Sequence, residues 1–558
     1  MIARRRSTPL IVLAVLGGLA VLAGCASGGS ASPPLPPPVP RVGGPPNIVF
    51  VLTDDLTTNL VPFMPHVVAM EHTGMTFTNY TVTDSLCCPS RASIMTGMYP
   101  HDTHVWSNIG PHGGFPVFYR RGEQNNTFAT ALHAVGYRTA MMGKYLNDYS
   151  PALDQNESAP YVPPGYSEWD VAGQSGYREF NYTLNENHVL HNYGSAPSDY
   201  LTTVLDRRAQ AFIRSSAYAR KPFMLEVATF TPHRPYVPAP ADAHAFGGLR
   251  APRTPAFNRL PRNAPLWLAK HPPLTPAEIR HIDRDFQKRV EDVQSIDRMI
   301  GHLEQTLRQT GQARNTVLVF SSDNGYHMGQ YQLTPGKLTA FDTDVRVPLV
   351  VTGPGIPAAV RNPAVVQNVD LAPTFDALGG AKIPANTDGR SMVPLLHSQR
   401  PAKWPTLALI EHRGPDKNPA DPDYPERNSG NPPTYDAIRS STFTYVRYPD
   451  GEREYYNLVR DPYELRNLAP YLTGRERSKL DAALTALHNC HGLKACQRAG
   501  YRPNLTVFAK LGRTPRREPS LMASPRRATG SARLHADRAV EADRLAVEHR
   551  IGDDLGDE

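Results

Sequence analysis

The run Cys87-Cys88-Pro89-Ser90-Arg91, continued by Thr96-Gly97, places a thiol two residues before a proline and four before an arginine. Proline is favoured at the first position of a helix, so the spacing predicts a helix from Pro89 with Arg91 in its first turn. Cys87 would then lie where free N–H groups and the helix dipole favour negative charge. That setting suits a nucleophile that handles anions. Two adjacent cysteines at a helix start also suit plain packing, and the pair alone leaves both readings open. Asp54, Asp55, Asp323 and Asn324 offer the hard oxygen ligands that Ca²⁺ or Mg²⁺ takes and a thiophilic metal does not. Each pair on its own could equally cap a helix or close a turn.

Bringing such groups together takes buried strands that end at one edge. Residues 47–52, 223–227 and 316–320 are short apolar runs, and they lead into Thr53-Asp54-Asp55, Thr231-Pro232-His233 and Ser321-Ser322-Asp323-Asn324-Gly325. Open α/β sheets place their sites at strand carboxyl ends. Phe286, Val290, Val293, Ile296, Ile300, Leu303 and Leu307 recur at three- and four-residue spacings, which predicts an amphipathic helix leading into the third of these strands. The alternation of strand and helix patterns from about residue 46 to 400 predicts an α/β domain around a large, mainly parallel central sheet flanked by helices. After residue 400, aromatic and charged residues alternate through 442–448 and 453–458, with turn signals at Pro449-Asp450-Gly451 and Asp461-Pro462. This predicts a smaller antiparallel α+β subdomain over 401–510. Residues 511–558 have little to bury and read as a disordered tail.

A chain of 558 residues exceeds what one core normally holds, so two domains are expected. Its net charge of +7 is thinly spread. No zinc-finger spacing, RNA-binding signature or basic zipper is present, which argues against nucleic-acid binding. Arg4-Arg5-Arg6, an apolar run over 10–22 and Leu22-Ala23-Gly24-Cys25 make a secretory signal too short to span a bilayer. The small residues before Cys25 resemble the lipobox of bacterial lipoproteins, whose cysteine is acylated, so 1–25 reads as signal peptide and lipobox. Residues 26–45 read as a Pro-rich tether. The alternative is ordinary cleavage and secretion. Of five cysteines, Cys490 and Cys496 are close enough to close a small disulfide loop in an oxidising compartment, while Cys87 and Cys88 have no partners.

Taken in order, the Cys-x-Pro-Ser-Arg run with Thr96-Gly97, the early Asp54-Asp55, Gly143-Lys144, Pro232-His233, and Asp323-Asn324-Gly325 with Gly336-Lys337 resemble a formylglycine-dependent sulfatase of the alkaline-phosphatase superfamily. The resemblance covers roughly residues 46–470 and is closest to the branch of N-acetylglucosamine-6-sulfatase and the extracellular heparan sulfatases. It implies that a formylglycine-generating enzyme oxidises Cys87, not Cys88, to 3-oxoalanine, whose hydrate attacks sulfur. It also implies Ca²⁺, with Mg²⁺ possible, on Asp54, Asp55, Asp323, Asn324 and the side chain at Cys87. Asp323 would take the proton of the nucleophile, Arg91, Lys144 and Lys337 would neutralise the sulfuryl group, and His233 or Lys337 would protonate the departing alcohol. Many sulfatases carry a histidine two or three positions after the lysine matching Lys144. Here Leu146 and Asn147 stand there, leaving the base for sulfate expulsion unassigned, with His104 as a candidate. The expected substrate is a sulfate ester, of a sugar or an aryl alcohol. A phosphonate or phosphate ester hydrolase of the same superfamily and an inactive surface binding protein are the competing readings.

Overall fold

The computed structural model describes residues 44–152, 159–503 and 505. The signal and lipobox with Cys25, most of the Pro-rich tether and the tail lie outside them. Fourteen strands are present among the described residues: β1 Asn47–Thr53, β2 Met75–Thr81, β3 Arg138–Lys144, β4 Glu168–Ala172, β5 Thr183–Glu186, β6 Val189–Asn192, β7 Phe223–Ala228, β8 Thr316–Ser322, β9 Leu349–Thr352, β10 Val360–Gln367, β11 Ala408–His412, β12 Tyr435–Arg439, β13 Phe443–Arg447 and β14 Arg453–Asn457. Ten form one sheet in the order β10-β2-β9-β8-β1-β7-β3-β4-β5-β6, and the last four form a separate antiparallel sheet. The middle of the large sheet, β8-β1-β7-β3-β4, is parallel throughout. Antiparallel pairs enter towards its edges, at β8-β9, β2-β9, β4-β5 and β5-β6, so the sheet is mixed around a parallel centre.

β1 is buried at all seven positions, as expected of a strand covered on both faces. Ile48, Phe50 and Leu52 face one layer, where Phe50 meets Phe375 at 5.3 Å between ring centroids. Val49 and Val51 face the other, which holds Val290, Val293, Ile296, Ile300 and Leu303 of the helix Pro276–Gln309. This helix starts ten residues before the first residue of its predicted apolar stripe. Pro276 stands in its first turn, and Thr275 and Glu278 cap it reciprocally, Thr275 N–H donating to Glu278 Oε2 (2.7 Å) and Glu278 N–H to Thr275 Oγ1 (3.2 Å).

The helix carrying the cysteines runs Cys87–Thr96 and so begins two residues earlier than Pro89 predicts. Proline fits anywhere in the first turn, because the N–H groups there have no helical partner to lose. Cys87 is therefore the first helical residue and Arg91 lies in the second turn. The helix ends at Gly97, in the left-handed conformation (φ 72°) with its N–H on Ser93 O at 2.9 Å. The hairpin of β13 and β14 turns at Gly451 (φ 92°), and the cysteines at 490 and 496 are disulfide-bonded. Among the described residues no helix is long and apolar enough to cross a membrane.

Candidate active site

β8, β1 and β7 are adjacent and parallel, so their carboxyl ends bring Asp323-Asn324, Asp54-Asp55 and the segment to His233 side by side. β3, next to β7, ends in Lys144. Gly143 before it has φ 100°, and a Cβ there would overlap the carbonyl oxygen of Ala228. Asp55 also adopts a left-handed backbone (φ 64°), uncommon outside glycine, and its N–H donates to Asp323 Oδ1 at 3.2 Å.

Cys87 is fully buried at the centre. Its Sγ accepts from Lys337 Nζ at 2.9 Å and faces Asp54 Oδ1 at 3.1 Å and Asp423 Oδ2 at 3.4 Å. Burial first, then Asp423 and Asp54, push the Cys87 thiol well above its usual range. The helix start does not make a thiolate here, which suits a precursor residue better than a thiol nucleophile. Cys88 is buried in the core among Ala92, Val105 and Phe115, and its N–H donates to Asn108 Oδ1 at 3.0 Å.

Lys144 pairs with Asp54, and Lys337 with Asp55 at 2.6 Å. Burial alone would lower both lysines, but Asp54 and Cys87 around Lys144, and Asp423 and Asp55 around Lys337, outweigh it and hold both charged. Arg91 Nε lies 2.8 Å from Asp323 Oδ2 and its Nη1 donates to Lys144 O at 2.8 Å. Burial would raise Asp323, yet Arg91, Lys144 and Lys337 together keep it below the ordinary carboxylate value. His233 Nδ1 sits 2.6 Å from Arg234 O, an acceptor, so Nδ1 carries a proton and Nε2 faces the site, 2.7 Å from Asp423 Oδ1. Burial would lower His233, and Asp423, Asp55 and Asp54 raise it overall. Tyr177 covers both cations, its ring centroid 4.6 Å from that of His233 and 4.9 Å from Lys144 Nζ.

The donor set fits a hard cation. Asp55 Oδ2 and Asn324 Oδ1 are buried with no hydrogen-bond partner, a cost that a cation would remove. Ligand atoms of Asp54, Asp55, Cys87 and His233 lie within 4.8 Å of one another. Asp323 is outside that cluster, and its oxygens are engaged, Oδ2 by Arg91 and Oδ1 by the N–H groups of Asp55 and Asn324. Each carboxylate oxygen has a second lone pair, so these bonds do not exclude ligation.

His104 is not brought to Cys87. It is exposed beyond the short helix Pro100–Thr103, where burial and Arg121 depress its basicity and its charged neighbours are Asp102, His101 and His491. Two residues at the centre escaped the sequence reading. Asp423 stands 336 positions from Cys87, in a loop with no motif, and Asn108 donates to both Asp421 Oδ1 (3.0 Å) and Asp423 Oδ2 (2.7 Å). An Asp-Pro-Asp run between strands was the only available signal. Beyond His233 and Tyr177 a cleft of about 760 Å³ opens, with Arg178, Lys288 and Tyr236 in its wall.

Residues 46–381 match the Sulfatase family and residues 336–487 match the family described as N-sulphoglucosamine sulphohydrolase, C-terminal. Human N-acetylglucosamine-6-sulfatase is 33% identical over 512 residues, 87% of this chain and 89% of that protein. The extracellular sulfatase SULF-1 homolog of Drosophila melanogaster is 36% identical over 379 residues, covering 66% of this chain and 33% of its own length. A solved structure of a protein in complex with its substrate D-glucosamine-2-N,6-O-disulfate superposes with a TM-score of 0.67 at 22% identity, over 82% of this chain and 100% of that one. The fold and these relatives define a hydrolase of sulfate esters. The chain belongs to the sulfatase family, which implies a formylglycine and a metal ion.

Proposed function

We propose that this sulfatase removes a sulfate ester from a sugar, and that its substrate is a 6-sulfated glucosamine. The human N-acetylglucosamine-6-sulfatase and the solved complex with a glucosamine disulfate support the sugar, as does the cleft of about 760 Å³ beside His233. Asp54, Asp55, Asp323 and Asn324 would hold Ca²⁺ or, alternatively, Mg²⁺, with an oxygen of the residue derived from Cys87 completing the set. The partnerless oxygens of Asp55 and Asn324 support this most directly. When bound, the cation supplies Lewis-acid polarisation and the formylglycine supplies a nucleophilic hydroxyl. Arg91, Lys144 and Lys337 would neutralise the anion, and Asp323 would accept the proton of that hydroxyl. His233 Nε2 or Lys337 Nζ gives a proton to the departing alcohol.

The observation that carries this reading is the convergence of Asp323, Asp54, His233 and Lys144, from four neighbouring strand ends, with Lys337 around Cys87. An inactive binding protein has no need of that chemistry. Sulfate release from glucosamine 6-sulfate, compared with an aryl sulfate and an aryl phosphate, tests it; faster turnover of the phosphate ester would overturn it. The proposal extends to the whole chain: a bacterial protein exported by 1–25, acylated on Cys25, tethered by 26–45 to the outer face of the membrane, with catalytic part 46–400, C-terminal part 401–510 and tail 511–558. Mass spectrometry of the mature protein checks both the lipid and the conversion of Cys87.

A further inference from the structure

One carboxylate in the site comes from none of the strand ends. Asp423 lies on the loop between β11 and β12, which is pinched at its neck. Asp416 N–H donates to Asn431 Oδ1 and Asn431 Nδ2 to Asp416 O, both at 2.8 Å. From this loop Asp423 Oδ1 accepts from His233 Nε2 at 2.7 Å and lies 3.0 Å from Lys337 Nζ. Its Oδ2 lies against Cys87 Sγ. A singly charged anion thus lies across the nucleophile's position, on two of the donors a sulfate group would need.

The small cavities beside this seat do not take a sulfate. The cavities flanking Lys337 and Lys144 measure about 10 and 20 Å³, room for one water each. The open cleft begins on the far side of His233, and Pro422 and Glu426 of the same loop form part of its wall. Asp54, Asp55 and Cys87 are wholly shielded. The loop is held down by Arg234, which donates to Pro422 O, Tyr424 O and Glu426 Oε1, each at 2.9 Å, by Asn108 on Asp421 and Asp423, and at its far side by Thr334, which bonds Arg427 O and Asn428 O at 3.0 Å, with His327 Nε2 2.8 Å from Ser429 O.

We propose that Asp423 is a built-in stand-in for the substrate's sulfate: its carboxylate occupies the anion seat on His233 and Lys337, and the 416–431 loop lifts as a lid when a sulfate group takes its place. This rests on the sulfatase reading for the identity of the incoming anion. Exchanging one anion for another keeps a negative charge on His233 Nε2 and Lys337 Nζ in either state, Lys337 also retaining Asp55 at 2.6 Å, whereas a buried cation facing no anion would be costly. Apart from the Asn108 bonds to Asp421 and Asp423, the lid is held by bonds to its backbone carbonyls and by a rim ion pair in which Glu426 is exposed, so opening breaks polar bonds and leaves the apolar core packed.

The test is calorimetric titration of the full chain, with Cys87 unconverted, by inorganic sulfate. If the carboxylate fills the seat nine-tenths of the time or more, Asp423→Asn binds sulfate about tenfold tighter or better. Glu426→Ala, which loosens the lid and leaves the seat intact, tightens binding about two- to fivefold. Equal or weaker binding by both variants, with sulfate still bound by the wild type, overturns the stand-in and spares the sulfatase reading. Failure of every form to bind sulfate overturns the stand-in, while the sulfatase reading stands or falls by the turnover assay above. Should Asp423→Asn not fold, Glu426→Ala decides in the same direction.

Discussion

Cys87 and Cys88 are neighbours in one helical turn with different surroundings. Cys87 faces Asp54, Lys337 and Asp423, while Cys88 faces the apolar core. Cys87→Ala should abolish sulfate release and leave the melting temperature close to wild type. Cys88→Ala should keep turnover and lower stability by about 1 kcal/mol, the usual scale for trimming a buried side chain. Sulfate-release assays with thermal melts check this, and equal losses of turnover would contradict the split. At this scale the sequence was most legible where catalytic groups sit in short runs, as in Asp54-Asp55 and Asp323-Asn324. It was least legible at Asp423, whose place depends on a loop folding back over residues more than 300 positions away. His104 lies exposed with Arg121, Asp102, His101 and His491 as its charged neighbours, a placement that sequence spacing does not carry.

Strands were easier to read than helix starts, since an apolar run flanked by polar residues has clear edges, whereas proline tolerates several positions in a first turn. Two small devices steady the C-terminal elements. The Cys490–Cys496 disulfide closes a loop with a sequence separation of 6, so replacing both cysteines by serine should cost about 2 kcal/mol on the chain-entropy scale, read from urea melts. The second is a clasp in which buried Glu411 of β11 lies 2.8 Å from His101 Nδ1 and 3.1 Å from His488 Nδ1. Burial would lower His101, but Glu411 raises it to about 9, and Asp436 with Glu411 raises His488 to about 10. Both lie above the unfolded value of about 6.5, so the stabilisation is complete below that pH and disappears as pH rises through 9 to 10. The melting-temperature gap between wild type and Glu411→Gln should therefore be wide near pH 6 and close by pH 10. A gap that stays constant across that window would refute the clasp.

For the whole molecule, the change of texture near residue 400 marked a change of sheet, and the two sheets turn out to share a core. Ile410, Tyr435, Ala437 and Val446 of the small sheet belong to the same apolar cluster as Phe50 and Phe375 of the large one. Such sharing was not visible in the sequence, because burial between sheets depends on their docking and not on the period of either. Polar bonds cross the junction as well: Glu411 N–H donates to Thr83 O at 2.8 Å, Tyr435 OH to Leu338 O at 3.0 Å, and Arg439 Nε to Asp342 Oδ1 at 2.6 Å. Cutting the chain after residue 400 would expose the core face, take Arg439 away from Asp342 and remove Asp423 from the active site. A chain of residues 46–400 should accordingly show no cooperative melt and no sulfate release. The full chain should unfold in one calorimetric transition across both sheets. A truncated chain with native near-ultraviolet circular dichroism, or two separated transitions in the full one, would show that the sheets fold independently and that the shared core contributes little.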